Sequence, residues 1–391
     1  MIPLALGLLA CLAWAYLLLG RGGFWRSAER DGDGRFEIRG GWPRVAAIIP
    51  ARDESAFIGS TVSSLLGQDY PGELRIFVVD DHSADGTAAA ARDAAAAAGA
   101  SGRVTVLAAP PLAAGWTGKL WALREGVRHA AASPRPPDYL LLTDADIVYA
   151  PDTVQSLVAR AAGGRLVLAS LMAKLRCVSL AERAFIPSFV FFFEMLYPFR
   201  WVNDPASGTA AAAGGCMLVQ RVALEAAGGI EAVRGALIDD CALARVLKRR
   251  GPVWLGLTQR VRSARAYDTL GEIRRMVARC AYAELRYSPS LLALTVLAMG
   301  VVYVAPALLV LFGTGTARWL GALATGLMAL AVQPTLRFYG LGSWWGLALP
   351  IIAGLYALFT LDSAWQHWRG RGGLWKGRVY RDNSAHEIAD N

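Results

Sequence analysis

Four apolar stretches set the limits on what this chain can become. Ile2–Leu19, Leu291–Phe312, Trp319–Val332 and Trp344–Leu361 are each of roughly spanning length, near the about 20 residues that a helix needs to cross a bilayer. In hydrocarbon a backbone must satisfy its own hydrogen bonds, so such stretches are expected as helices. The residues between them have to fold outside the bilayer. Composition agrees: 55% of residues are hydrophobic and 18% charged, where a soluble chain carries about 25% charged. Arg21, Arg26 and Arg30 follow the first run instead of preceding it, and no persuasive Ala-x-Ala site appears. That favours an uncleaved anchor over a cleaved signal peptide, with the N-terminus outside and the rest of the chain entering the cytoplasm.

These segments divide the chain into an anchor over 1–20, a juxtamembrane linker over 21–42, a catalytic-type domain over 43–285, membrane segments over 286–365 and a basic cytoplasmic-type tail over 366–391. Three crossings after the domain would carry the tail outside, against the positive-inside rule. One of the three is therefore expected to be re-entrant or interfacial. The middle one, followed by Pro334 and flanked by Arg318 and Arg337, is the weakest. The net charge of +9 does not point to nucleic acid, because no compact Lys/Arg stripe is interleaved with aromatics. Arg clusters near the apolar segments instead, as expected beside an anionic leaflet. Five cysteines (Cys11, Cys177, Cys216, Cys241 and Cys280) show no metal-like spacing and read as reduced packing residues.

The middle of the chain is patterned α/β. Val45–Ile49, Arg75–Val79, Val104–Leu107 and Tyr139–Ile147 are short apolar runs that read as strands, with Leu166–Met172 a further one. Helical stretches lie between them, about Ala56–Leu66, Thr87–Ala98 and Leu120–His129. Strands alternating with helices predict a mostly parallel sheet with right-handed crossovers. Its strand tips carry Asp53/Glu54, Asp80/Asp81 and Asp144/Asp146, and in open α/β sheets the tips form the ligand crevice. No Gly-x-Gly-x-x-Gly suggests a dinucleotide. Phe185–Trp201, densely aromatic and interrupted by Pro187 and Pro198, reads either as a buried core helix or as a segment lying in the membrane interface.

Thr143-Asp144-Ala145-Asp146 alone would suit a strand followed by an Asp-capped turn. With one residue between them, both carboxylates can also turn toward one hard cation. Asp239/Asp240 open a helix that ends in Lys248-Arg249-Arg250, and capping accounts for one acidic residue there, not for two beside a Gly-rich loop. A nucleotide sugar would use such a set. Asp81 suits a pyrimidine ring N–H, while Asp146, helped by Asp144, suits a divalent ion bridging the diphosphate. Asp144 is otherwise placed beside the metal, toward the ribose. Lys119 adds positive charge near the phosphates, and Asp240 is the candidate base toward an acceptor hydroxyl.

Taken in order, Ile-Pro-Ala-Arg-Asp-Glu (49–54), Val-Val-Asp-Asp-His-Ser-Ala-Asp-Gly-Thr (78–87), Gly-Trp-Thr-Gly-Lys (115–119), Thr-Asp-Ala-Asp (143–146), Gly-Gly-Cys (214–216) and Ile-Asp-Asp (238–240) resemble the inverting family 2 glycosyltransferases of GT-A fold. More narrowly, 192–205, 235–244 and Arg-Tyr-Ser-Pro (286–289) resemble the hopanoid-biosynthesis-associated membrane glycosyltransferases, relatives of ceramide glucosyltransferases. The resemblance implies a Rossmann-like, mostly parallel sheet, Mg²⁺ or Mn²⁺, a nucleotide-sugar donor (a UDP-sugar) and a lipid acceptor at the inner membrane. It implies donor binding by Pro50, Ala51, Arg52, Glu54, Asp80, Asp81, Lys119, Asp144, Gly214, Gly215 and Asp239, metal at Asp146 and Asp144, and a base at Asp240. Phe189, Phe193, Tyr197 and Trp201 would face the acceptor and membrane.

One departure stands out. The Gln/Arg-x-x-Arg-Trp motif of processive and ceramide-type relatives is not intact in 274–287, which leaves Arg279 or Arg286 to serve the diphosphate and argues against polymer synthesis. A polyprenyl-phosphate sugar transferase shares the same donor site, and a non-catalytic membrane scaffold with this fold is the alternative from another class.

Overall fold

A computed structural model describes residues 1–32, 38 and 41–372, and the backbone of 374–375 and 378–379. Most of the basic tail and part of the linker fall outside the described residues. The chain divides into two compact units. Among the described residues, one gathers Glu29–Leu175 and Trp201–Arg265, the other Met1–Ala28, Arg176–Arg200 and the segment from Ala266 onward.

The first unit is built on an eight-stranded mixed sheet. Its strands are β1 (Val45–Ala51), β2 (Leu74–Asp80), β3 (Val104–Ala108), β4 (Tyr139–Thr143), β5 (Ile147–Tyr149), β6 (Leu168–Lys174), β7 (Cys216–Gln220) and β8 (Val253–Ser263), in the order β3-β2-β1-β4-β7-β6-β8-β5. β1 to β4 run parallel, with Ala51 level with Asp80 and Ile48 level with Leu142. Every residue of β1 and β4 is buried, the expected condition of parallel strands covered on both faces. β7 runs antiparallel to β4 and β6, and β5 antiparallel to β8. This is the Rossmann-like GT-A architecture.

Two departures from the sequence expectation have local causes. The Tyr139–Ile147 run is not one strand. β4 stops at Thr143, and Ile147–Tyr149 leaves to pair with the end of β8 at the far edge of the sheet. Asp144 and Asp146 therefore lie on the segment that crosses from the sheet centre to its edge. β6 begins at Leu168, two residues later than expected. Arg165 takes a left-handed φ of 49° and Leu166 N donates 2.8 Å back to Ala161 O, so the preceding helix closes with a six-to-one bond before the strand starts.

Among the described residues, the second unit holds four helices long and apolar enough to cross a membrane: Ile2–Leu19, Pro289–Phe312, Gly315–Phe338 and Ser343–Trp368. The third has the lowest mean hydropathy, 1.3. Ala10, Trp14, Tyr303, Ala324 and Met328 of these helices form one core with Phe191 of helix Leu180–Leu196. Pro306 has no N–H to give to Val302 O, four residues back, and the helix relaxes into a π turn over Gly300–Val304. The orphaned carbonyl accepts the Trp14 indole N–H at 2.9 Å. Arg21 donates to Met195 O and Leu196 O at 3.0 and 3.1 Å, closing the end of helix Leu180–Leu196.

That helix carries the aromatic segment, and it runs straight through Pro187. Phe185, Ile186, Val190 and Phe191 are buried, and Phe185 packs on Tyr356 and Phe359 at 5.7 Å. This face is a core face. Phe189, Phe193 and Tyr197 are half-buried and Leu196 is exposed, so only the opposite face suits an interface.

Candidate active site

The acidic residues meet where β1, β2 and β4 end. The strand order turns at this point, since β2 leaves one side of β1 and β4 the other, and this is where open α/β sheets hold ligands. At the tip of β1, Pro50 and Ala51 are buried strand residues, so they offer backbone and not side chains to a ligand. Arg52 Nη1 donates 2.6 Å to Asp81 O and lies 3.4 Å from Asp81 Oδ2. Asp81 is fully buried. Asp80, by contrast, accepts from Ser83 N at 3.2 Å and from the Ser83 hydroxyl, so it shapes the turn. Asp53 N donates to Ser83 Oγ and Glu54 N to Thr87 Oγ1, which stitches the two loops together.

Lys119, in the first turn of helix Gly118–Ala131, reaches Asp144 Oδ1 at 3.0 Å and Asp239 Oδ2 at 3.1 Å. The second approach is one of charge only, as no hydrogen bond is aligned on that buried oxygen among the described residues. Burial would lower the Lys119 ammonium, but Asp144, Asp239 and Asp240 around it hold it well above its ordinary range. Its charge is thus directed at carboxylates. Asp240 sits in the first turn of helix Asp239–Lys248 and accepts from Gly214 N at 2.8 Å and Cys241 N at 2.7 Å. Burial first, and then the adjacent Asp239 charge, push its carboxyl up to about 6 against the pull of Lys119.

Gly214 is close-set. A Cβ there would lie 3.2 Å from Lys119 Nζ and 3.3 Å from Asp240 Oδ2. Gly215 packs on Ile147, and its carbonyl accepts from Thr143 Oγ1 at 2.9 Å, which ties this loop to the end of β4.

Asp146 has a partner that the sequence reading missed. Arg265, two residues past β8, donates through Nε to Asp146 Oδ2 at 2.7 Å and through Nη2 to both Glu54 oxygens at 2.7 Å. The signal in the sequence is the basic end of β8, Arg260 and Arg262, followed at once by Arg265; the sequence expectation lay instead on Arg279 and Arg286. Those two are exposed residues of the helical unit, which also carries the half-buried Phe189, Phe193 and Tyr197. Tyr197 donates its hydroxyl to Glu284, and Trp201 opens a segment of the sheet unit.

Among the described residues no three Asp, Glu, His or Cys side chains alone form a metal cage. The cluster nevertheless carries excess negative charge, with Glu54, Asp144, Asp146, Asp239 and Asp240 set against Lys119 and Arg265. The Asp144 carboxyl is raised by burial and by Asp146 and Asp239, with Lys119 opposing. Such a set fits a divalent ion held by one or two carboxylates and completed by phosphate oxygens.

A Rossmann-like sheet with acidic strand tips forms the ligand crevice of an open α/β sheet. Residues 43–282 match the sequence profile "Glycosyltransferase like family 2", and the chain belongs to that family of glycosyltransferases. It is 35% identical over 116 residues to an N-acetylglucosaminyltransferase of Rhizobium leguminosarum bv. viciae, a match over 29% of this chain and 24% of that protein, so the chain spans about a quarter of its length. In fold it is similar to the mannosyltransferase PcManGT of Pyrobaculum calidifontis, solved with GDP-Man and Mn²⁺, at a TM-score of 0.56 and 20% identity, covering 95% of this chain and all of that one. A weaker likeness, TM-score 0.40 at 21% identity over 62% of this chain and 79% of the other, is to glucosyl-3-phosphoglycerate synthase of Mycobacterium tuberculosis with Mg²⁺ and UDP.

Proposed function

We propose that this enzyme transfers a single sugar, with inversion, from a nucleoside diphosphate sugar to the hydroxyl of a membrane lipid of the hopanoid class, working at the cytoplasmic face of the inner membrane. The observation that carries the transfer is Asp240. It is a carboxylate held by two backbone N–H groups, pushed up to about 6, beside the Asp144–Lys119–Asp239 ion pairs. A base of that strength takes a hydroxyl proton near neutral pH.

The acceptor oxygen attacks the anomeric carbon as its proton passes to Asp240. The bond from that carbon to the diphosphate breaks on the opposite face, and the nucleoside diphosphate leaves with the electron pair. Asp146 and Asp144 would hold a divalent ion, which neutralises the leaving diphosphate. Lys119 holds Asp144 and Asp239 in place through its ion pairs, and Asp81 and Arg52 are set for the nucleoside. The lipid acceptor is supported by the four apolar helices of the second unit.

The test supplies membranes containing the enzyme with UDP-sugars, Mn²⁺ and lipid extract. A glycolipid that is stable to mild acid and free of phosphate is expected from the wild type, and about 10²–10⁴-fold less of it from Asp240→Asn. An acid-labile phosphate-containing product would replace this acceptor by a polyprenyl phosphate. No turnover or binding of any nucleotide sugar would sink the reading.

A further inference from the structure

Asp146, the residue best placed to hold a cation, already holds one. The Arg265 guanidinium spans Asp146 and Glu54 with three hydrogen bonds of 2.7 Å. It is built in from several sides. Asp146 O accepts from Ala264 N at 2.8 Å, so the chain on either side of the ion pair is pinned together. Arg265 N donates 3.3 Å to Ser263 Oγ, and the guanidinium lies 5.0 Å above the Phe57 ring. Glu54 is fixed in turn through its own N–H to Thr87 Oγ1 at 2.8 Å. The Arg265 side chain is 28% exposed and those of Asp146 and Glu54 12% and 10%, so the pair is shielded from water and only weakly screened by salt.

Asp146 Oδ2 cannot give the same lone pair to Nε and to an inner-sphere metal ion. An ion bound through Oδ1 instead would stand against a fixed positive charge a few ångströms away, a repulsion that low local dielectric strengthens. A nucleoside diphosphate changes the balance. Its oxygens supply ligands to the metal, and its negative charge gives the guanidinium a second partner. Nη1 makes no hydrogen bond among the described residues, and planar guanidinium forks suit phosphate oxygens.

We propose that Arg265 is a positioning residue that competes with the divalent ion for Asp146, so that metal and nucleoside diphosphate bind together and neither binds well alone. The proposal rests on the divalent-ion reading above. Arg265 would move its fork from Asp146 to the diphosphate as the ion takes the carboxylate, with Glu54 retaining Nη2.

The full chain in detergent micelles is titrated with Mn²⁺ and free Mn²⁺ is read by electron paramagnetic resonance, with and without UDP or GDP, the protein-free Mn²⁺–nucleotide complex being subtracted. The wild type is expected to bind Mn²⁺ at least tenfold more tightly with nucleotide than without. Arg265→Gln is expected to bind Mn²⁺ alone at least tenfold more tightly than the wild type and to gain little from nucleotide. Wild-type binding that nucleotide does not improve overturns the proposal, as does Arg265→Gln with unchanged or weaker Mn²⁺ affinity. Should Arg265→Gln fail to fold, as judged by circular dichroism, Arg265→Lys, which cannot span both carboxylates, takes its place. Its Mn²⁺ affinity should rise several-fold, and a wild-type value overturns the proposal. No Mn²⁺ binding by any variant under any condition rejects the divalent-ion reading itself and this proposal with it, whereas equal binding by all rejects only the competition.

Discussion

The two backbone N–H groups on Asp240 oppose protonation while burial and Asp239 favour it, and the balance falls at about 6. The base form is the active one, so the transfer rate should climb with pH up to about 6 and flatten above about 7. A rate that falls across this interval would exclude Asp240 as base. Asp240→Asn should lose about 10²–10⁴ in rate with nucleotide binding preserved, measurable as kcat against Kd. The stability sign is opposite. A carboxyl raised in the folded state destabilises the fold as pH rises from about 4 to 6, so Asp240→Asn should melt no lower than the wild type at pH 7.5. Gly214→Ala should reduce kcat sharply, because its Cβ would press on Lys119 Nζ and Asp240 Oδ2. An unaffected kcat would show that the loop can retreat. Asp144, Asp146 and Asp240 were legible as candidates because carboxylates at strand tips and a helix start stand out against apolar runs. The Arg265–Asp146 ion pair was not, since it depends on β8 ending beside Asp146, a contact between residues 119 positions apart.

The parallel strands were read easily, because continuous burial on both faces writes itself as unbroken Val, Ile, Leu and Ala. β5 was not. Three residues joined to the end of β4 carry no period of their own, and only the edge of β8 makes them a strand. The aromatic helix Leu180–Leu196 shows the same limit. Its composition suits a membrane interface, and the partners that make one face a core (Tyr356, Phe359 and Tyr303) come from distant helices. A polar bond inside an apolar setting gives a sharper expectation. Trp14→Phe keeps the ring and removes the N–H from Val302 O. Leaving that carbonyl unmet should cost about 1–3 kcal/mol, seen as a lower melting temperature in detergent. An unchanged value would mean that water or a neighbouring group replaces the indole.

The chain divides into a sheet unit and an apolar helical unit, and Arg176–Arg200 packs with the apolar helices although its sequence lies between segments of the sheet unit. Helices as apolar as Ile2–Leu19 and Pro289–Phe312, with mean hydropathies of 2.2 and 2.4, should keep the protein in the membrane pellet through an alkaline carbonate wash. Release into the supernatant would reject bilayer insertion and, with it, the support for a lipid acceptor.

The bond from Trp14 to Val302 has a practical bearing on how the enzyme can be handled. A first helix that merely tethers could be trimmed away to give a soluble enzyme. Here that helix also completes the backbone of another one 288 residues further on, and Arg21 just beyond it closes the end of a third. Starting the chain after residue 28 removes both, together with the Ala10 and Trp14 part of the core. The shortened protein should aggregate, and adding residues 1–28 back as a separate peptide should restore a folded, detergent-soluble enzyme.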